Sequence, residues 1–122
     1  MPKAAQAILA AHLLTGAAFG GPSKAPAEPL ASAPSRFASL DGIRIHYKSL
    51  GEGSEALVFV HGWSCNLDFW RYQVPAFSGK ARLLLIDLPG FGESDRPRLA
   101  YTMNLFARSV DAGRRWSSSA TC

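Results

Sequence analysis

The chain has 122 residues, 48% of them apolar and 18% charged, with a formal net charge of +4. This balance belongs to an ordinary globular protein and excludes a disordered or fibrous one. Its basic residues are scattered, with Arg114-Arg115 the one adjacent pair, so no nucleic-acid partner is expected. Cys65 and Cys122 are the only cysteines, which excludes a disulfide framework and a zinc site.

Residues 1–20 begin with Lys3 and run apolar from Ala4 to Phe19, with small residues at Ala18 and Gly20. That pattern predicts a signal peptide and export to the periplasm or beyond; it is too short for a stable membrane span. The alternative is an Ala-rich extension on a cytoplasmic protein. Prolines at 22, 26, 29 and 34 then predict an extended linker over 21–35, with no regular helix.

The foldable part spans 36–112. Arg36–Leu40 and Ile43–Leu50 are expected as two strands joined at Asp41-Gly42, a favoured hairpin turn pair. In the second strand Ile43, Ile45 and Tyr47 alternate with Arg44, His46 and Lys48. This places His46 on a polar face as a solvated side chain. Ala56–Val60 and Arg82–Leu88 are continuous apolar runs, the pattern of parallel strands covered on both faces. Between them Asn66 is placed to cap a helix bearing Leu67, Trp70, Val74 and Phe77, shortened or made irregular by Pro75. A last helix starts at Thr102, with Met103, Phe106 and Val110 as its apolar stripe. Two antiparallel strands leading into alternating strands and helices predict an α/β sheet with parallel crossovers.

In such sheets the site lies beyond the carboxyl ends of the parallel strands. Two unusual stretches sit there, "HGWSCN" from His61 and "DLPGFGESDRP" from Asp87. In the first, Gly62 permits a sharp exit from the strand, which turns the amide of Trp63, with that of Ser64 as the second candidate, outward where it can stabilise an oxyanion. His61 is positioned to brace that loop and Trp63 to wall a pocket. In the second, Gly90 and Gly92 lack the third glycine of a dinucleotide fingerprint, because residue 95 is Asp95, and no phosphate-binding GxxxxGK[ST] exists.

Together "LVFVHGW" (Leu57–Trp63), Phe69-Trp70, "LLIDLPGFGES" (Leu84–Ser94) and Tyr101-Thr102 resemble the α/β-hydrolase fold superfamily, over Phe37 to about Ala112. The resemblance implies the N-terminal portion of an α/β-hydrolase sheet, with Trp63 as oxyanion-hole donor. It implies that Asp87, Gly90, Gly92 and Ser94 shape the neighbouring loop without reacting. It also implies a small, ester-like substrate and no cofactor or metal. Ser64 stands where epoxide hydrolases of this fold usually have Pro, and Trp63 where haloalkane dehalogenases usually have Asn. These departures leave esterase-like, C–C-cleaving or haloperoxidase-like members.

The superfamily's nucleophile sits in a Gly-x-Ser-x-Gly elbow, followed by an acid and a histidine. No such elbow occurs, and none of His12, His46 and His61 follows a candidate one. The triad is therefore expected beyond residue 122. Cys65 and Ser64 read as small side chains of the loop rather than as substitute nucleophiles. The segment 113–122 leaves the apolar period of the preceding helix and reads as an irregular tail, as from a shifted frame or a broken gene. The alternative to an esterase-like protein is a non-catalytic fragment or an interaction module.

Overall fold

A computed structural model gives the fold and describes residues 29–119. The signal-peptide expectation for 1–20 and most of the linker lie outside the described residues. The elements in chain order are helix α1 (Pro29–Ser32), strands β1 (Arg36–Leu40), β2 (Ile43–Leu50) and β3 (Ala56–Val60), and a 3-10 turn (Leu67–Trp70). Helix α2 (Val74–Phe77), strand β4 (Arg82–Ile86) and helix α3 (Met103–Ser119) complete the chain. The strands form one mixed sheet in the order β1-β2-β4-β3.

Asp41 (φ 51°) and Gly42 (φ 81°) both take left-handed angles, as a type I′ hairpin turn requires. This turn pairs Leu40 with Ile43 and Phe37 with His46. β2 pairs antiparallel with β4, and β4 pairs parallel with β3, Val60 opposite Ile86. A parallel pair needs a crossover, and the 3-10 turn and α2 supply it. Asn66 Oδ1 accepts from the Asp68 amide at 3.0 Å and so caps the 3-10 turn. Pro75 lies in the first turn of α2, so the segment forms two short pieces in place of one amphipathic helix.

Two apolar layers sandwich the sheet. On one face α3 packs over β1, β2 and β4, burying Ala38, Leu40, Ile43, Ile45, Leu84 and Ile86 against Leu105 and Ala112. Gly113 brings the helix down onto β4, because a Cβ there would meet Ile86 Cδ1 at 3.0 Å. On the other face Leu83 and Leu85 pack with Leu30, Leu67 and Val74. Successive β4 residues alternate between these layers, which is why its whole run is apolar.

Four expectations are corrected. Pro29–Ser32 form a helical turn inside the expected linker, since proline at a first helical position forfeits no bond and Leu30 there is fully buried. β3 is not covered on both faces: it is an edge strand, and Leu57, Val58 and Val60 remain 37–40% exposed. α3 continues through Gly113 to Ser119 where an irregular tail is expected. Asp111 pairs with Arg114 and Arg115 at helical spacing, and Ser117 Oγ bonds the Arg114 carbonyl. Finally, His46 is 2% exposed, because the segment after α1 and the loop after β4 cover the face of β2 that its alternation marks as polar. Among the described residues no helix is long and apolar enough to cross a membrane.

Candidate active site

Both parallel strands end at one edge of the sheet, and the loops that follow them meet there. After β3 the chain makes a tight turn closed by the Cys65 amide on the Gly62 carbonyl at 3.3 Å. The residue that takes the left-handed conformation is Ser64 (φ 61°), whereas Gly62 has no positive φ and a Cβ there would meet nothing within 4 Å. The sharp exit expected at Gly62 is thus made two residues later. Within the turn the Trp63 amide donates to no group among the described residues. The Trp63 ring, 75% exposed, leans edge-on against Phe91 from the loop after β4.

His61 ties the two loops together. Its Nδ1 donates to the Gly62 carbonyl at 2.8 Å, and its Nε2 accepts from the Leu88 amide at 3.0 Å. Two backbone partners of opposite kind fix a neutral imidazole in one tautomer. The ring is buried and packs edge-on against Phe91. His61 is committed to structure on both nitrogens.

Asp87, at the end of β4, is the centre of a buried polar network. Oδ1 accepts from the Leu67 amide at 2.7 Å. Oδ2 accepts from His46 Nδ1 at 2.7 Å and from the Glu93 amide at 3.0 Å. Burial alone would raise its pKa; the bonds from His46 and the two amides outweigh that and hold the carboxyl below the ordinary carboxylate range. Ser94 Oγ donates to the Asp87 carbonyl at 2.7 Å and accepts from the His46 amide at 2.8 Å. The glycines give this loop its shape. Gly92 (φ 51°) lies against the Asp87 carboxylate, which a Cβ would overlap, and Gly90 (φ 87°) lies under the Tyr101 ring. These contacts explain both glycines without a phosphate.

Between the loops Trp63, Gly90, Phe91, Arg96 and Tyr101 line a cavity of about 350 Å³. Its walls are chiefly aromatic, with Arg96 at an exposed position donating to the Gly92 carbonyl at 3.0 Å. Cys65 lies partly buried at the far side of the turn with Asn66, Phe69 and Tyr72. An unpaired amide, an apolar cavity and a buried His61 bonded on both nitrogens thus stand together at this sheet edge. They do not include a nucleophile paired with a base.

The fold around this sheet edge is matched by known proteins. The family model described as alpha/beta hydrolase fold matches residues 55–115, and the chain belongs to that family. It is 38% identical over 86 residues to a dihydrolipoyllysine-residue acetyltransferase component of an acetoin cleaving system from Cupriavidus necator, covering 70% of this chain and 23% of the relative. It is 40% identical over 68 residues to a pimeloyl-[acyl-carrier protein] methyl ester esterase from Sodalis glossinidius, covering 56% and 26%. Among solved structures, Est816, described as an N-acyl homoserine lactone degrading enzyme, superposes with a TM-score of 0.65 at 32% identity, covering 68% and 32%. The chain therefore spans no more than about a third of the length of the proteins it matches. Relatives at similar identity are also named haloalkane dehalogenase (Agrobacterium fabrum) and epoxide hydrolase 3 (Mus musculus), so the comparisons do not separate the subfamilies that Trp63 and Ser64 were read to exclude.

Sequence reasoning missed His46 and Ser35 as members of a network. One signal was available: His46 belongs to the strand beside Asp87, on a sheet whose two faces both need covering.

Proposed function

We propose that this chain is the oxyanion-binding portion of an esterase-like α/β hydrolase acting on a small, largely apolar ester. The unpartnered Trp63 amide, held in the Gly62–Cys65 turn beside an aromatic cavity, carries this reading. In ester hydrolysis the carbonyl oxygen gains negative charge as a nucleophile adds, and a fixed N–H aimed at that oxygen stabilises the transition state by about 3–4 kcal/mol. The Trp63 and Phe91 rings receive the apolar part of the substrate. His61 and Asp87 position the two loops and take no part in proton transfer. Such a reaction also needs a nucleophile, a general base and an orienting acid, in the order usual for an elbow-type hydrolase.

Assay of the purified protein with p-nitrophenyl butyrate tests the reading. Saturable hydrolysis that falls ten-fold or more in kcat when Trp63 is replaced by Pro, which lacks the N–H, supports it. Undiminished kcat in a folded W63P protein overturns it. A second reading, a non-catalytic interaction module, is favoured by the exposed apolar edge of β3, where Leu57, Val58 and Val60 face outward.

A further inference from the structure

Away from the cavity, the buried network around Asp87 reaches the surface at one point. His46 Nε2 lies 2.8 Å from the hydroxyl of Ser35, an exposed residue immediately before β1. The same ring bonds Asp87 Oδ2 through Nδ1 at 2.7 Å. Because a carboxylate can only accept, Nδ1 carries the proton, and in the neutral ring Nε2 is left to accept from the Ser35 hydroxyl. We propose that Ser35, His46 and Asp87 form a base-activated serine, a second reactive centre that takes activated acyl or phosphoryl donors independently of the Trp63 turn.

The arrangement meets the geometric requirements of an activated nucleophile: hydroxyl to base, and base to an orienting acid, both within hydrogen-bond reach. Burial supports it. His46 and Asp87 are each about 2% exposed, so the imidazole cannot swing to water, while Ser35, whose hydroxyl it faces, is an exposed residue. Asp87 is locked by the Leu67 and Glu93 amides as well as by His46. The Glu93 carboxylate, 3.8 Å from His46 Nε2, adds a second negative charge beside the imidazolium that forms when the ring takes a proton. Phe37 packs against the ring with centroids 5.2 Å apart and narrows its freedom further.

With an ester, Ser35 Oγ forms a bond to the acyl carbon and its proton passes to His46 Nε2. The bond from carbon to the leaving oxygen then breaks, and that oxygen takes the proton, leaving an acyl-serine and a free alcohol. With a fluorophosphonate, the P–O bond forms, the P–F bond breaks, fluoride departs, and the proton passes through His46 to solvent. General-base assistance of this kind typically contributes about 10²–10⁴-fold.

The test is competitive labelling of the whole chain with a fluorophosphonate, with modified peptides read by mass spectrometry. Ser39 is the internal reference: it is exposed on β1, two residues from Phe37, and lies opposite Arg44 in the sheet register. The expected result is modification of Ser35 at least about 100-fold faster than of Ser39. That ratio should collapse toward one in folded H46Q and in wild-type chain unfolded with urea. Equal labelling of the two serines in the folded protein overturns the proposal, as does an undiminished ratio in folded H46Q. If H46Q does not fold, the urea comparison on the wild-type chain decides alone. The readout does not depend on the Trp63 turn, so loss of p-nitrophenyl butyrate hydrolysis in W63P leaves it unchanged.

Discussion

β3 and β4 are parallel neighbours of the same length and almost the same apolar character, yet their fates differ. β4 lies between β2 and β3 with α3 on one face and Leu30, Leu67 and Val74 on the other, and Leu83 to Ile86 are wholly buried. β3 has a partner on one side only, and three of its five side chains remain more than a third exposed. The loops after them repeat the contrast. Asp87 is saturated with hydrogen bonds, whereas the Trp63 amide has none among the described residues. One strand end is closed by hydrogen bonds to its carboxylate, and the other leaves a backbone donor open. Apolarity alone does not distinguish them, because it reports what a strand is able to bury and not which neighbours are there to cover it.

The largest effect should come from breaking the closed end. Asp87→Ala leaves His46 and the amides of Leu67 and Glu93 without their acceptor, and a loss of about 3–5 kcal/mol is expected from urea denaturation. The acid branch of stability carries the same signature. The folded pKa of Asp87 lies below the unfolded value near 3.8, so the ionised form stabilises the fold above that pH. This contribution is lost as pH falls through about 4 toward the folded pKa, and Asp87→Asn should flatten that part of a Tm-against-pH curve.

Next come the strands themselves. Leu85→Ala, in the core of β4, is expected to cost about 2–5 kcal/mol, and Val58→Ala, on β3, less than about 1 kcal/mol. Equal losses at the two positions would show β3 to be covered after all. Gly92→Ala forces a Cβ into the Asp87 carboxylate from a left-handed backbone and should cost at least about 2 kcal/mol in the same assay. Gly62→Ala, which meets nothing, should change stability by no more than about 1 kcal/mol.

Local chemistry written in consecutive residues was legible in the sequence. The Asp41-Gly42 turn, the Asn66 cap, the Thr102 cap (its Oγ1 takes the Leu105 amide at 3.2 Å) and all four strands follow from such patterns. So did the position of the two loops at one sheet edge. What escaped reading depends on partners distant in the chain. His46 looks solvated until Ser35 and Asp87, 11 and 41 residues away, close over it. Gly62 looks like the bend until Ser64 is seen to take the left-handed angle, a conformation open to any residue in a turn that compensates its strain. The helical run through Gly113 defied the pattern because ion pairs and the close approach to Ile86 offset the glycine and the serines.

The role proposed for the Trp63 amide is that of a free donor to a developing oxyanion. The most direct measurement is an amide-resolved NMR titration of the chain with a phosphonate monoester, a stable mimic of the tetrahedral intermediate. The expected result is a saturable downfield shift of the Trp63 N–H, larger than that of any amide in the Asp87 loop. A Trp63 amide that stays put while other signals move would contradict it.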